Sequence, residues 1–473
     1  MLQKYLTLGE VIAKLKITRR TAYRWIGAGQ LMGMKVGGQW RFSPDSFENM
    51  LNRGNYDQEP RKKLIMGDFF SGAGGLSEGF HQAGFTSLFG NDFDKDSGAT
   101  YSANNPEAIF YHKPIQELTA QEILKDVGLH PGELDVLVGG PPCQGFSINA
   151  PVRSESDPRN HLFKHYVRIV LEGLQPKVVL FENVPGLLSM GNTLHDVCEA
   201  FSRAGYRVKY KLLNAAHYGV PQERWRLLII GTRLEDIAIS FPEPIYYSRS
   251  RPNFKGVNEM GFSYAVKGKH SNPELFSWLK DPVNISQAID DLPKIVNGKG
   301  SQFMIYSGVP TSHFQQYARE GAGDTLWNHE TAGLTEVNLE RFAYVKPGGS
   351  WRDIPHELLP AGLKRARRSD HTRRYGRLDP NGLSGTVLTK CDPHWGTFVH
   401  YNQDRIISIR EAARIQSFPD RFKFLGNLTS QYKQVGNAVP PLLAKAIAIE
   451  VYAAIGFAPK MQAKKRELVM SVA

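Results

Sequence analysis

Leu64-Ile65-Met66-Gly67-Asp68-Phe69-Phe70-Ser71-Gly72-Ala73-Gly74-Gly75-Leu76 opens with an apolar run and passes straight into glycines. The run reads as a buried strand, and the glycines as a tight turn into a helix closed by Gly84. Such a turn lets backbone approach a ligand and leaves the first N–H groups of the helix facing it. A nicotinamide-type fingerprint would carry a third glycine at position 77, where this chain has Ser77. A second strand, 86–89, leads to Asn91-Asp92-Phe93-Asp94, and Asp92 follows Gly72 by 20 residues. An acid at that spacing commonly grips a ribose diol, and Phe93 beside it can stack on an adenine. Strand, glycine loop, strand and acid together predict an α/β doubly wound sheet of Rossmann-like type that binds a nucleoside beyond its strand ends.

A further strand, 134–138, runs into Gly139-Gly140-Pro141-Pro142-Cys143-Gln144-Gly145-Phe146-Ser147. The chain has three cysteines, Cys143, Cys198 and Cys391, too few for a disulfide framework and without zinc-ligand spacing, so no metal is expected. Cys198 lies in a helical pattern and reads as a small apolar side chain. Cys143 differs. Two prolines fix the backbone before it and Gly145 lets the chain turn after it, which holds a thiol ready for nucleophilic attack. Strand 178–181 ends at Glu182-Asn183-Val184, and Gln222-Glu223-Arg224-Trp225-Arg226 precedes strand 227–231. A thiol, a carboxyl and fixed arginines at the strand ends of one sheet form a covalent-catalysis constellation.

Charge points to the partner. The 473 residues carry a net charge of +12, with 58 Lys or Arg against 46 Asp or Glu. Residues 1–53 hold nine of the basic residues and three of the acidic ones, hence +6. A second basic run spans 364–377. Within 1–53, Thr7 and Glu10 make a capping box ahead of a helix, and a second helix starting at Thr18 carries Arg19, Arg20 and Arg24. Strands 31–36 and 39–42 then flank Gly37-Gly38, and Ser43-Pro44 starts a last short helix. Helix, basic helix, hairpin is a winged helix-turn-helix plan, with the three arginines suited to DNA contacts. Lys35-Val36-Gly37-Gly38-Gln39-Trp40-Arg41-Phe42 resembles the excisionase-type branch of that superfamily. No apolar run reaches the roughly 20 residues of a membrane span, and the free cysteines and absent signal pattern predict a cytoplasmic protein.

Residues 64–456 resemble the DNA cytosine-5 methyltransferases. The resemblance rests on six motifs in order: 68–75, Pro141-Pro142-Cys143-Gln144, Glu182-Asn183-Val184, Gln222 with Arg224 and Arg226, 410–419, and Gly436-Asn437-Ala438-Val439-Pro440. It implies S-adenosylmethionine as cofactor and double-stranded DNA as substrate. By the same resemblance Cys143 attacks C6 of a flipped cytosine, Glu182 engages N3, Arg226 holds O2 with Arg224 assisting, and Thr386 braces the phosphate. On the cofactor side it implies Phe70, Gly72, Gly74, Asp92, Phe93, Ile115, Leu162, Asn437 and Ala438. Lys113-Pro114-Ile115 stands where many members have Gly-Asp-Ile, so the acid that meets the adenine amino group is missing there.

The expected organisation is a winged helix-turn-helix over 1–53, a linker over 54–63 and a cofactor-binding and catalytic domain over 64–240. A smaller target-recognition domain over 241–380 follows, then a return to the catalytic domain over 381–456 and a loose tail over 457–473. Base readout is expected from 241–380 and phosphate contact from the 364–377 run. The chain is expected to act as a monomer, with no membrane association. It would belong to a restriction–modification or orphan modification system, a cognate endonuclease being a functional rather than physical partner. Two rival readings are a DNA-binding regulator with an inactive methyltransferase half and an RNA cytosine-5 methyltransferase. Intact Cys143, Glu182 and Arg226 speak against the first, and the full-sized recognition segment against the second.

Overall fold

The computed structural model describes residues 6–15, 34–36, 39–42, 63–141, 162–189, 193–235, 237–248 and 279–456. They fall into two compact units, one within Met1–Arg61 together with Gly268–Lys280 and one comprising Lys62–Lys267 and Asp281–Ala473. In the first, β1 (Leu6–Thr7), β2 (Met34–Val36) and β3 (Gln39–Phe42) form an antiparallel sheet in the order β1-β3-β2. Val36 pairs with Gln39, so the expected two-residue hairpin forms, while the short strand β1 was not anticipated. The helix Leu8–Leu15 starts on the expected capping box: Glu10 N donates to Thr7 Oγ1 at 3.2 Å and Thr7 N to Glu10 Oε2 at 2.7 Å. Leu8 and Val11 of this helix are buried, as is Phe42 of β3. Arg19, Arg20 and Arg24 lie outside the described residues, as do the turn at 37–38 and the helix expected from Ser43.

The second unit is built on a seven-stranded sheet of order β6-β5-β4-β7-β8-β10-β9. Its strands are β4 (Leu64–Phe69), β5 (Phe85–Asn91), β6 (Ile109–Tyr111), β7 (Val136–Gly139), β8 (Val178–Asn183), β9 (Arg207–Asn214) and β10 (Trp225–Thr232). The doubly wound sheet carries one reversed strand. β10 runs antiparallel to both β8 and β9. Periodicity reports which face a residue occupies but not the direction of the strand, so this reversal was not legible.

The apolar strand runs follow from burial on both faces. Val136, Val138, Val178, Leu180, Leu228 and Ile230 pack on one face, against Leu76, Phe80 and the helix residues Leu443, Ile447 and Val451. Leu137, Val179, Phe181 and Ile229 pack on the other, against Phe69, Tyr166 and Phe201. The helices Gly75–Gln82 and Pro441–Ile455 touch closely, since a Cβ on Gly79 would fall 2.4 Å from both Ala444 Cβ and Pro441 O. The stretch Leu428–Ile455 is by length and composition apolar enough to cross a membrane, but half of its apolar window is buried in this core.

A third cluster runs from Ile285 to Ala438 and crosses position 380, with Leu326, Phe342, Tyr375, Ile409 and Phe418 among its members. The antiparallel pair β11 (Gly300–Ile305) and β12 (Thr325–Glu330) lies in this part. The helix Ile409–Ile415 is its ionic centre. Arg405 pairs with Glu411 at 2.6 Å, and Arg414 with Asp420 at 2.6 Å and with Asp291, all of them buried. Glu411 is held far below the ordinary carboxylate range by Arg405 and then His400, against the opposing effect of burial. These charges hold loops together rather than reach the surface.

Candidate active site

β8 ends on Glu182 and Asn183, and the reversed direction of β10 brings its first residues to the same sheet edge. Leu228 pairs with Glu182 and Leu227 with Asn183, so Arg226, the second residue of its strand, stands beside the carboxylate. Arg226 Nε lies 2.7 Å from Glu182 Oε1, and each side chain is 11% exposed. Burial pushes the Glu182 carboxyl above its usual range, with Arg226 and Arg224 pulling it back.

The lead-in to Cys143 crosses this pair. β7 ends at Gly139, Asn183 Nδ2 donates to Pro141 O at 3.3 Å, and a Cβ on Gly140 would lie 2.9 Å from Glu182 Oε2. Glycine at 140 is what lets the backbone pass against the carboxylate. Cys143 itself, two positions beyond Pro141, lies outside the described residues.

Arg224 is placed differently from its expected assisting role. It is buried, and its terminal nitrogens donate to Val387 O at 3.0 Å and Gly436 O at 2.7 Å. Gln222 is buried too; it accepts from Val387 N at 2.8 Å and donates to Gln416 Oε1 at 2.7 Å. Both therefore pin the segments near 387, 416 and 436 to the catalytic sheet. Thr386 Oγ1 donates to Glu223 O at 2.9 Å, which fixes that hydroxyl in the same place. Arg377 corrects the reading of the basic run: it is buried, donating to Val345 O at 2.6 Å and Phe342 O at 2.8 Å, and cannot meet a phosphate.

At the end of β4 the backbone turns through left-handed conformations at Phe70 (φ 53°), Gly72 (53°) and Gly74 (101°). Gly72 N donates to Asp92 Oδ2 and Asp94 N to Asp92 Oδ1, both at 2.9 Å. Burial pushes the Asp92 carboxyl up. Phe93 beside it is 69% exposed, its carbonyl 3.0 Å from His112 Nε2. Ile115 is buried, and Phe70 and Leu162 are partly buried against its cluster. Ala438 Cβ would lie 3.2 Å from a Cβ on Gly75, which sets 438 against the glycine turn, whereas Asn437 is exposed. Lys113, in the triplet that lacks the acid, pairs with Glu122 at 2.5 Å.

Sequence reasoning missed Asp68. It is fully buried near the end of β4, and burial raises its carboxyl to about 7. Its Oδ2 accepts from Ser77 Oγ at 2.7 Å, and that hydroxyl is 3.1 Å from Tyr101 OH. Among the described residues its Oδ1 has no hydrogen-bond partner. The signal was present at Ser77, where a hydroxyl replaces the glycine of the nicotinamide fingerprint. A nucleoside cofactor with a charged amino-acid arm fits these residues: a Cβ at Gly72 would meet nothing within 4 Å, Phe93 offers an uncovered ring, and acidic oxygens of Asp92 and Asp68 flank the turn.

Comparison with known proteins gives the family. Residues 64–453 match the family described as C-5 cytosine-specific DNA methylase, and residues 5–55 match a helix-turn-helix domain family. The type II methyltransferase M.AgeI of Thalassovita gelatinovora is 33% identical over 438 residues, covering 82% of this chain and 99% of that protein. The type II methyltransferase M1.HphI of Haemophilus parahaemolyticus is 36% identical over 385 residues, covering 80% and 84%. Among solved structures, a DNA modification methyltransferase encoded within an E. coli prophage superposes with a TM-score of 0.61 at 25% identity, over 84% of this chain and 100% of that one.

Proposed function

Because the chain belongs to the C-5 cytosine-specific DNA methylase family, we propose that it methylates C5 of a cytosine swung out of duplex DNA, through a covalent Cys143 adduct. The observation that carries this reading is the Glu182–Arg226 pair, 2.7 Å apart at the sheet edge over which the chain leads into Cys143. S-adenosylmethionine, the methyl donor of this family, supplies an electrophilic methyl group when bound. The residues at the glycine turn would hold it: Asp92 at the ribose, Phe93 and Phe70 against the adenine, Ile115 and Leu162 lining the pocket, and Asn437 and Ala438 closing it.

In this mechanism the Cys143 thiolate bonds to C6 of cytosine. Glu182, whose carboxyl burial pushes upward, delivers a proton to N3 and takes it back when the thiolate leaves, so that the electron pair pushed into the ring is available at C5. Arg226, already oriented by Glu182, donates to O2. After C5 is methylated, a base removes its proton, the C5–C6 double bond re-forms and the thiolate leaves. Stacking hides both faces of the ring in a duplex, so the base must first be extruded. Arg224 acts as a positioning residue, since its two terminal nitrogens are committed to main-chain carbonyls.

Bisulfite sequencing of DNA from cells expressing the chain tests this reading. A converted cytosine at every occurrence of every short motif would overturn it; protection at one motif would identify the target. The helix-turn-helix domain would add phosphate contacts through Arg19, Arg20 and Arg24. A chain starting at Gln58 is expected to methylate the same cytosine but to bind DNA with a shallower dependence on salt, by about 0.9 in log–log slope per lost contact. An unchanged slope would exclude the domain from binding. Asp92→Ala is expected to weaken S-adenosylmethionine by about 1–3 kcal/mol through lost hydrogen bonds to a charged group, read by calorimetry. An unaltered affinity would remove Asp92 from the site.

A further inference from the structure

One exposed aromatic connects the basic run to the catalytic edge. Trp395 is 60% exposed, with the guanidinium carbon of Arg374 5.1 Å from its ring centroid. Its loop is well held. Asp392 turns it, accepting at Oδ1 from His394 N at 2.9 Å and at its carbonyl from Trp395 N at 3.0 Å. Tyr375 N and Gly376 N donate to the carbonyls of Pro393 and Gly396 at 2.7 and 3.2 Å.

The neighbouring residue faces the catalytic side. Arg373 Nη2 lies 3.7 Å from Glu223 Oε2, and a Cβ on Gly385 would fall 2.6 Å from Arg373 Nη1. Glu223 shares its segment with Arg226 and accepts from Thr386. The indole is thus mounted, through four consecutive residues 373–376, on the segment that supplies the catalytic arginine. Earlier in the same basic run Lys364, Arg365, Arg367, Arg368 and Arg373 are exposed, and such charges draw in a polyanion. A large aromatic left in water at such a place, with a cation over its ring, matches the stacking platforms by which proteins hold unpaired bases.

We propose that Trp395, braced by Arg374, stacks on a DNA base uncovered when the target cytosine leaves the duplex. The proposal rests on the reading that the chain acts on duplex DNA. Charge complementarity selects nucleic acid as the occupant rather than a protein. The exposed arginines draw in the backbone without regard to sequence, and the indole engages the opened stack. Trp395 is in this view a binding residue for the reaction, distinct from the groups that touch the reacting atoms.

The test uses the full-length protein and a duplex with 2-aminopurine beside the target cytosine. Trp395→Ala is expected to bind this duplex about five- to a hundredfold more weakly than wild type, the loss of one base–aromatic stack. It should also leave the 2-aminopurine brighter than wild type does. Trp395→Phe should restore most of both signals, with S-adenosylmethionine affinity and Tm unchanged in either variant. Wild-type affinity and brightness in Trp395→Ala would overturn the proposal, and would fit a protein partner at this surface instead. A parallel fall in cofactor affinity and Tm would overturn it as well, by making Trp395 a scaffold residue. Methylation of the same duplex by wild type is measured alongside. Its absence would strike the methyltransferase reading, whereas normal methylation with an indifferent Trp395→Ala strikes only the role of Trp395.

Discussion

Cys143→Ser is expected to lower methyl transfer by roughly 10³-fold or more, because a hydroxyl is almost wholly protonated at neutral pH where a thiol supplies a few per cent of thiolate. Cofactor binding should survive, since the residues around the glycine turn are untouched. Duplex DNA carrying 5-fluorocytosine at the target gives a second readout. Fluorine cannot leave as a proton does, so wild type should form an adduct that survives denaturing electrophoresis and the serine variant should form none. Methylation by Cys143→Ser at a tenth of the wild-type rate, or no adduct with wild type under turnover, would end the covalent mechanism.

Glu182→Gln is expected to lower kcat by about 10²–10⁴-fold, the usual range for a positioned general acid. The pH dependence separates this role from a structural one. Burial lifts the Glu182 carboxyl above its ordinary range, so the protonated form persists to higher pH and activity should fall as pH rises through that elevated value. The glutamine variant should lose that alkaline limb. For stability the sign is the same: a carboxyl raised in the folded state contributes most below its unfolded pKa, and the contribution is lost as pH rises through the folded one. Removing the carboxylate also leaves Arg226 without its ion pair in a site 11% exposed, which costs about 3–5 kcal/mol for a buried pair. Tm should therefore be measured with kcat. A folded variant with kcat within tenfold of wild type would remove Glu182 as the acid.

Both results bear on what the residues alone disclose. The strand runs at 64–70, 178–181 and 227–231 were legible because burial on two faces leaves them almost wholly apolar, and the capping box at Thr7 and Glu10 because its partners are three residues apart. Strand direction was not, and it is the direction of β10 that brings Arg226 to Glu182. Arg224 and Arg377 looked like ligand-binding cations because their acceptors, mostly main-chain carbonyls, lie far along the chain, which no local pattern announces. Asp68 passed unremarked inside an apolar strand, its partner Ser77 noticed only as a missing glycine. The basic run keeps several arginines at the surface and loses its last one to the core.

The contact between the helices Gly75–Gln82 and Pro441–Ile455 has a consequence during synthesis. Gly79 and Ala444, which nearly touch, are 444 − 79 = 365 positions apart. Ribosomes add roughly 5–20 residues per second, so the first helix behind the glycine turn waits about 20–70 s for its cover. Through that interval Leu76 and Phe80 have no C-terminal helix to lie against, and the half-made sheet is a target for chaperones. A premature stop between 437 and 440 yields a chain that holds every sequence motif up to Gly436 and still lacks the helix that covers Leu76 and Phe80.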